Sequence, residues 1–333
     1  MRVSSQVQIL SALAALALLA ACSGGGSSAL APSITSLSPS MHSGQGRPTI
    51  RRRSFYNCPS TGRLTYISIW NANAVDVFAG KLNNQNACGE IVLGLSGPLG
   101  LYVDEKTHDL YVANSKRSNI KVFHRGHVRA YNTYVDPTDE LTIDVAVAPD
   151  GTVIASNQFV FDGSGAGSLS TWVGGVNGGT FVGNFPMTNS MAGQFVTVKK
   201  NGTVYFSDVD QNSFKGLLWT VACPAGACGT QTQVAGVSFE SPGGMVFDNT
   251  GDLFVIDDSA ITANTFELPN PAPSTCPLSG APVSVAVDRK NHTFVTTDDE
   301  RFGILEGKEY SLPGCVLVGR VGGTDSQGIA IDP

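Results

Sequence analysis

Gly243–Asp258 reads "GGMVFDNTGDLFVIDD": an alternating apolar strand, a turn at Asp248-Asn249-Thr250-Gly251, and a second alternating strand. Period-two alternation around an Asp/Asn/Gly turn is the pattern of a β-hairpin. Four aspartates in sixteen residues also suggest a metal or acid–base site. The rest of the chain decides between these readings, because the unit recurs. It appears as "GLYVDEKTHDLYVAN" (Gly100–Asn114), "DVAVAPDGTVIASN" (Asp144–Asn157), "FVTVKKNGTVYFSD" (Phe195–Asp208) and "SVAVDRKNHTFVTT" (Ser284–Thr297). The turns open at positions 104, 148, 199, 248 and 288, with spacings of 44, 51, 49 and 40. A period of about 45 built from strands alone is that of a propeller blade. The aspartates are therefore turn chemistry, since Asp and Asn side chains satisfy nearby backbone N–H groups and tolerate unusual φ. Asp257 ends a second strand, in a column held elsewhere by Ile69, Asn114, Asn157, Asp208 and Thr297.

A sixth copy is split between the two ends of the repeat region. "QGIAIDP" (Gln327–Pro333) supplies a first strand, and Asp332 lies 44 residues beyond Asp288. The second strand is "GRLTYISIW" (Gly62–Trp70), followed by "NAVDVF" (Asn73–Phe78). Pairing these ends closes the ring and removes the exposed edges of an open array. The expected fold is all-β: a six-bladed β-propeller of four-stranded antiparallel blades, closed by N- and C-terminal strands. The units resemble NHL-type repeats, and "GLYVDEKTHDLYVANSKRSNIKVF" (Gly100–Phe123) carries the likeness almost throughout. The resemblance covers roughly Cys58 to Pro333. It implies architecture and leaves function open, because one fold hosts many chemistries.

The chain has 333 residues, only 14% of them charged, with 38 glycines and a net charge of −6. No clustered Lys and Arg surface is present, so no nucleic-acid partner is expected. "ILSALAALALLA" (Ile9–Ala20) is apolar but too short to span a bilayer, and reads as a signal-peptide core. It ends in Leu19-Ala20-Ala21-Cys22, which resembles the lipobox of bacterial lipoproteins. That resemblance implies cleavage before Cys22, acylation of its thiol and new amine, and a lipid bilayer as partner. Several acyl chains give stable anchoring, at about 0.8 kcal/mol per buried methylene. Ser23 after the cysteine implies the outer membrane in the enteric sorting pattern. The expected organisation is a signal peptide over 1–21, a lipidated Cys and Gly/Ser/Pro linker over 22–57, and a propeller over 58–333. A linker of about thirty residues can reach roughly 100 Å. Arg51-Arg52-Arg53 closes its basic end, either against anionic headgroups or in solvent.

Six cysteines remain after Cys22: Cys58, Cys88, Cys223, Cys228, Cys276 and Cys315. An even count in an exported chain points to disulfides. "CPAGAC" suits a tight Cys223–Cys228 closure. Cys58–Cys88 and Cys276–Cys315 come next, with Cys58–Cys315 as rival. A zinc site is disfavoured because no CxxC pair occurs.

Candidate ligands are few. The gluconolactonase and senescence-marker-like hydrolases, propellers of similar shape, imply a divalent cation held just before the first strands. Those positions here are Leu99, Ile143, Gln194, Gly243, Val283 and Gln327, without carboxylate or His. Asp144 is the anomaly, a carboxylate opening a first strand; it either lines the channel and binds a ligand there, or is solvated in a water-filled pore or paired with a neighbouring backbone amide. Asp208, Asp210 and Asn212 alternate as in a calcium loop, but Ser213 and Trp219 stand where Gly and Glu are needed. The equivalent loops at Asp257–Ala260 and Thr297–Arg301 would join them in an acidic rim. His124 and His127 bracket an outer turn with no carboxylate evident nearby, and His42, His108 and His292 fall in linker or turns. "GSGAGS" (Gly163–Ser168) lacks the lysine of a phosphate-binding loop and reads as a blade loop. No catalytic residue, metal or cofactor is assigned. The expected function is a membrane-anchored, non-catalytic envelope scaffold binding a protein or small molecule at one propeller face. A hydrolase or lyase at the channel mouth is the alternative.

Overall fold

The computed structural model describes residues 53–160, 167–175, 178–258, 260–266, 274–280, 282–288, 290, 293–298, 305–312, 314–323 and 326–333. Six antiparallel sheets follow one another around a ring. The first blade is assembled from both ends of the chain: Ser326–Asp332, Leu64–Ile69, Ala74–Ala79 and Gly89–Ile91, from channel to periphery. The others follow in order, the second over 98–135, the third over 140–186, the fourth over 190–239, the fifth over 242–277 and the sixth over 282–323. Ring closure is as the repeat spacing requires, with Thr65 opposite Ile331 and Ile67 opposite Ile329. Phe55–Tyr56 adds a short fifth strand outside Gly89–Ile91, ahead of Cys58. Cys22 and its lipobox, Arg51, Arg52, His42, His292, Asp299 to Arg301 and 163–166 lie outside the described residues.

Alternation along the middle strands sends every second side chain into the neighbouring blade. Leu64, Tyr66, Val75 and Val77 of the first blade pack on Leu101, Val103, Leu110 and Val112 of the second. Trp172 of the third packs with Tyr111, Ile120 and Tyr134 of the second. Each fully buried apolar side chain contributes about 1.5–3 kcal/mol. The tight turns between first and second strands need a left-handed residue, supplied by Gly151, Gly202 and Gly251. In the second blade the turn from Asp104 to Asp109 is one residue longer, and His108 takes φ 60.

All three sequence-level disulfides are present. Cys58–Cys88 ties the N-terminal strand to the edge of the first blade. Cys223–Cys228 closes a turn in the fourth. Cys276–Cys315 joins the outer strand of the fifth blade to the sixth. Two ionic clasps hold the first blade to its neighbours. Arg63 Nη1 meets Glu309 Oε1 of the sixth blade at 2.7 Å, with the Glu309 side chain fully buried. On the other side Asp332 is bridged by Arg125 of the second blade and by His108 Nδ1 at 2.6 Å.

Candidate functional site

The inner strands of all six blades line one central cavity. Most carry a β-bulge at the same height, for example between Pro98 and Leu101, Gly193 and Val196, and Pro242 and Met245. Bulges free backbone groups from the ladder, and hydroxyls of the preceding blade take up some of the carbonyls. Ser68 Oγ donates to Leu99 O at 2.7 Å, Ser156 Oγ to Gln194 O at 2.7 Å and Thr297 Oγ1 to Gln327 O at 3.0 Å. These acceptors belong to the column in which propeller hydrolases would hold a cation, so that column is used here for joining blades. Next comes Gly100, Asp144, Phe195, Gly244, Ser284 and Gly328, in equivalent places four residues before each turn. Glycine lets successive inner strands approach: a Cβ on Gly244 would lie 2.7 Å from Ser284 Cα, and one on Gly100 would lie 2.6 Å from Asp144 Cα.

Asp144 is thus the one carboxylate in a column otherwise of glycine, serine and phenylalanine. Its Oδ2 accepts the N–H of Val196 at 3.2 Å, an inner-strand amide of the fourth blade. Asp144 borders the channel cavity and pairs with a neighbouring amide, and it is buried rather than solvated in an open pore. Burial pushes its pKa up to about 7, against the lowering effect of the Val196 and Val145 N–H groups. Above it opens a funnel of 720 Å³. Its walls include Leu101, Val103, Val147, Val198, Met245, Val287 and Ile331, and its rim is built from the turns, with Asp104, Lys106, Asp150, Lys199, Lys200 and Asp248. Among the described lining residues, Asp144 is the carboxyl below that rim. A cavity of mixed polar and apolar lining with a carboxyl at its base offers a place for a small ligand that carries hydrogen-bonding groups.

The other candidates do not converge on this place. Asp208 is fully buried and accepts the indole N–H of Trp219 at 3.0 Å; burial raises its pKa to about 7, and Asp210 adds to the rise. Asp210 turns outward and accepts the N–H groups of Asn212 and Ser213, while Asn212 is exposed. Hydrogen bonds to Ser213 hold the Asp210 carboxyl below its usual range. Asp257 is buried against the N–H groups of Glu240 and Ser241. Of the loops expected to form an acidic rim, Asp208 and Asp257 face inward against strand and loop donors and Asp210 turns outward, while Asp299 to Arg301 lie outside the described residues. His124 also has a carboxylate after all. Its Nδ1 lies 2.7 Å from Asp109 Oδ1, and its ring stacks on Tyr131, whose hydroxyl donates to Asp109 Oδ2 at 2.7 Å. Asp109 ends a turn in a different hairpin, so linear spacing gives no sign of it.

The raised carboxyls have a measurable consequence. A carboxyl with a higher pKa folded than unfolded binds its proton more tightly in the native state. Its stabilising contribution is complete below about pH 4 and is lost as pH rises through about 7. Asp144 and Asp208 are raised to about 7, and Glu140 and Asp257 are raised in the same direction by burial. The melting temperature should fall from about pH 5 to about pH 8, and Asp144→Asn should remove its share of that fall, on the order of a few kcal/mol. Parallel melting curves for the two proteins across that range check this; identical slopes would contradict it.

No protein-family model matches the chain, and no curated protein matches it. Solved structures do. A chain of a nidogen/laminin complex aligns over 82% of this chain and 99% of its own, at TM-score 0.65 and 13% identity. A protein of unknown function from Bacteroides caccae aligns over 81% and 99%, at 0.57 and 11%. Virginiamycin B lyase from Staphylococcus aureus aligns over 78% and 84%, at 0.51 and 13%. At such identities the likeness is one of fold: this chain is similar in shape to β-propellers that differ widely in sequence.

Proposed function

We propose that this protein is a lipid-anchored binding module of the bacterial cell envelope, built on NHL-like repeats and receiving a small ligand in the funnel above Asp144. The observation that carries the binding role is the funnel itself, a cavity of mixed polar and apolar lining with a single carboxyl at its base, already engaged by Val196 N–H. One buried group can orient a ligand's donor, whereas acyl transfer or elimination needs an acid and a base in mutual reach. The anchoring role rests on Leu19-Ala20-Ala21-Cys22 and on three disulfides, which suit an oxidising compartment. Among the described residues no helix is long and apolar enough to cross a membrane. Acyl chains on Cys22 would supply the attachment.

Two measurements test the two halves. Cys22→Ala should move the protein from the membrane fraction to the soluble fraction, and continued membrane association would defeat the anchor. Small molecules that co-purify with the native protein, identified by mass spectrometry, should be lost when Val198→Trp fills the funnel wall. Equal recovery from both proteins would remove the funnel as the binding place. A second reading, general acid–base catalysis by Asp144, is favoured only by its pKa of about 7. It requires a turnover profile that follows that titration and disappears in Asp144→Asn.

A further inference from the structure

Two carboxylates are buried together in the third blade, at the opposite end of its inner strand from the funnel. Asp136 lies in the link entering this blade, and Glu140 opens the strand Glu140–Val147. They are 4% and 8% exposed, and neither forms an ion pair among the described residues. Five neutral side chains converge on them: Asn157 from the second strand, Ser168 and Ser170 from the third, Asn184 from the fourth, and Thr138 from the link, whose N–H and Oγ1 donate to Asp136 Oδ1 at 2.9 and 2.6 Å. Ser170 Oγ donates to Asp136 Oδ2 at 2.5 Å, and Ser168 Oγ donates to Glu140 Oε2. Asn157 Nδ2 faces Asp136 Oδ2, Ser168 Oγ and Ser170 Oγ at 3.3, 3.1 and 2.8 Å. Asn184 Nδ2 faces Glu140 Oε2, Ser168 Oγ and Ser170 Oγ at 2.7, 2.7 and 3.1 Å. Each amide nitrogen carries two protons but is offered three oxygens. Among the described residues, Asn157 Oδ1, in a residue with no exposed surface, has no hydrogen-bond partner.

Among the described residues the two carboxylates are held by hydrogen-bond donors alone, and a cation among them would neutralise their charge directly. We propose that Asp136, Glu140, Asn157, Ser168, Ser170 and Asn184 form a binding site for a hard divalent cation of the Ca²⁺ type. Ca²⁺ takes about six to eight oxygens, with carboxylates, amide carbonyls and hydroxyls all acceptable. Six side chains here offer such oxygens from one small volume, and their two charges match a divalent ion. A half-turn of the Asn157 and Asn184 amides exchanges nitrogen for oxygen. That turn points the orphaned Asn157 oxygen at the ion and relieves the crowding of each amide nitrogen. Once the ion neutralises the carboxylates, the serine hydroxyls are released from donating to them and present lone pairs. The cation would tie the link at Asp136 to the second, third and fourth strands of its blade, and it leaves the funnel untouched.

The test uses the full-length protein in detergent after dialysis against EDTA. Calorimetric titration with CaCl₂ should show one site, with Kd of about 10⁻⁵ to 10⁻³ M, and about 5 mM Ca²⁺ should raise the melting temperature. The isosteric double variant Asp136→Asn/Glu140→Gln removes buried charge, keeps the volume, and should fold yet lose both responses. Asn157→Asp adds a third carboxylate and should tighten Ca²⁺ binding at least about tenfold. Absence of a Ca²⁺ response in the native protein, or its persistence in the double variant, would overturn the site.

Discussion

Removal of Ser326–Pro333 is expected to abolish the cooperative melting of the whole propeller. Those residues are the inner strand of the first blade, with Ile329 and Ala330 buried and Gly328 N donating to Ser68 Oγ at 2.6 Å. Their loss exposes the edge of Leu64–Ile69 and strips the second blade of Asp332, the buried partner of Arg125 and His108. An open array of five intact blades and a remnant keeps local hairpins but leaves two unpaired ends, which invite association. The shortened chain should bind a hydrophobic dye, be cut rapidly by protease and melt over a broad range. A sharp transition within a few degrees of the intact protein would show that the ring does not depend on this strand.

The second large effect is expected on the opposite side of the same blade. Glu309→Ala leaves the Arg63 guanidinium, which is largely buried, without its carboxylate at 2.7 Å. It also orphans the N–H of Leu82, which Glu309 Oε2 accepts at 2.8 Å. Breaking a buried pair by removing one partner costs about 3–5 kcal/mol, because the remaining charge stays desolvated. The double variant Arg63→Met/Glu309→Leu should recover the part of that loss due to the stranded guanidinium and keep the part due to the unpaired Leu82 N–H. Chemical denaturation of the single and double variants measures both. A loss under about 1 kcal/mol for Glu309→Ala would mean that water reaches Arg63 and that the clasp contributes little.

These two clasps show where sequence reading reaches its limit. The blades were legible because each hairpin repeats its own alternation and turn, so Asp104, Ala148, Lys199, Asp248, Asp288 and Asp332 align by counting alone. Ring closure followed from one leftover strand at each end. Asp144 stood out because its column otherwise holds glycine, serine or phenylalanine. Arg63 and Glu309, by contrast, are 246 residues apart and sit in unrelated strand contexts. Asp109 and His124 lie in different hairpins, so neither announces the other. The third-blade cluster was hidden for a further reason: Asn157 and Asp136 each look like ordinary turn chemistry, and only the pairing of four strands and a link brings them together. Local pattern therefore specifies the scaffold, while the polar groups that distinguish this propeller come from contacts between strands.

The position of Cys58–Cys88 has a mechanical consequence. If the chain is tethered at its N-terminal end, any pull on the domain arrives at Phe55–Tyr56, which pair with only Glu90 and Gly89 and can peel away without disturbing the ring. Load then meets a covalent bond that passes it to the periphery of the first blade at Cys88. The strand Leu64–Ile69, on which closure depends, lies inside the loop so formed and carries only part of the tension. A domain buffeted at the end of a long leash can in this way keep its toroid shut while its outermost strand gives way and re-forms.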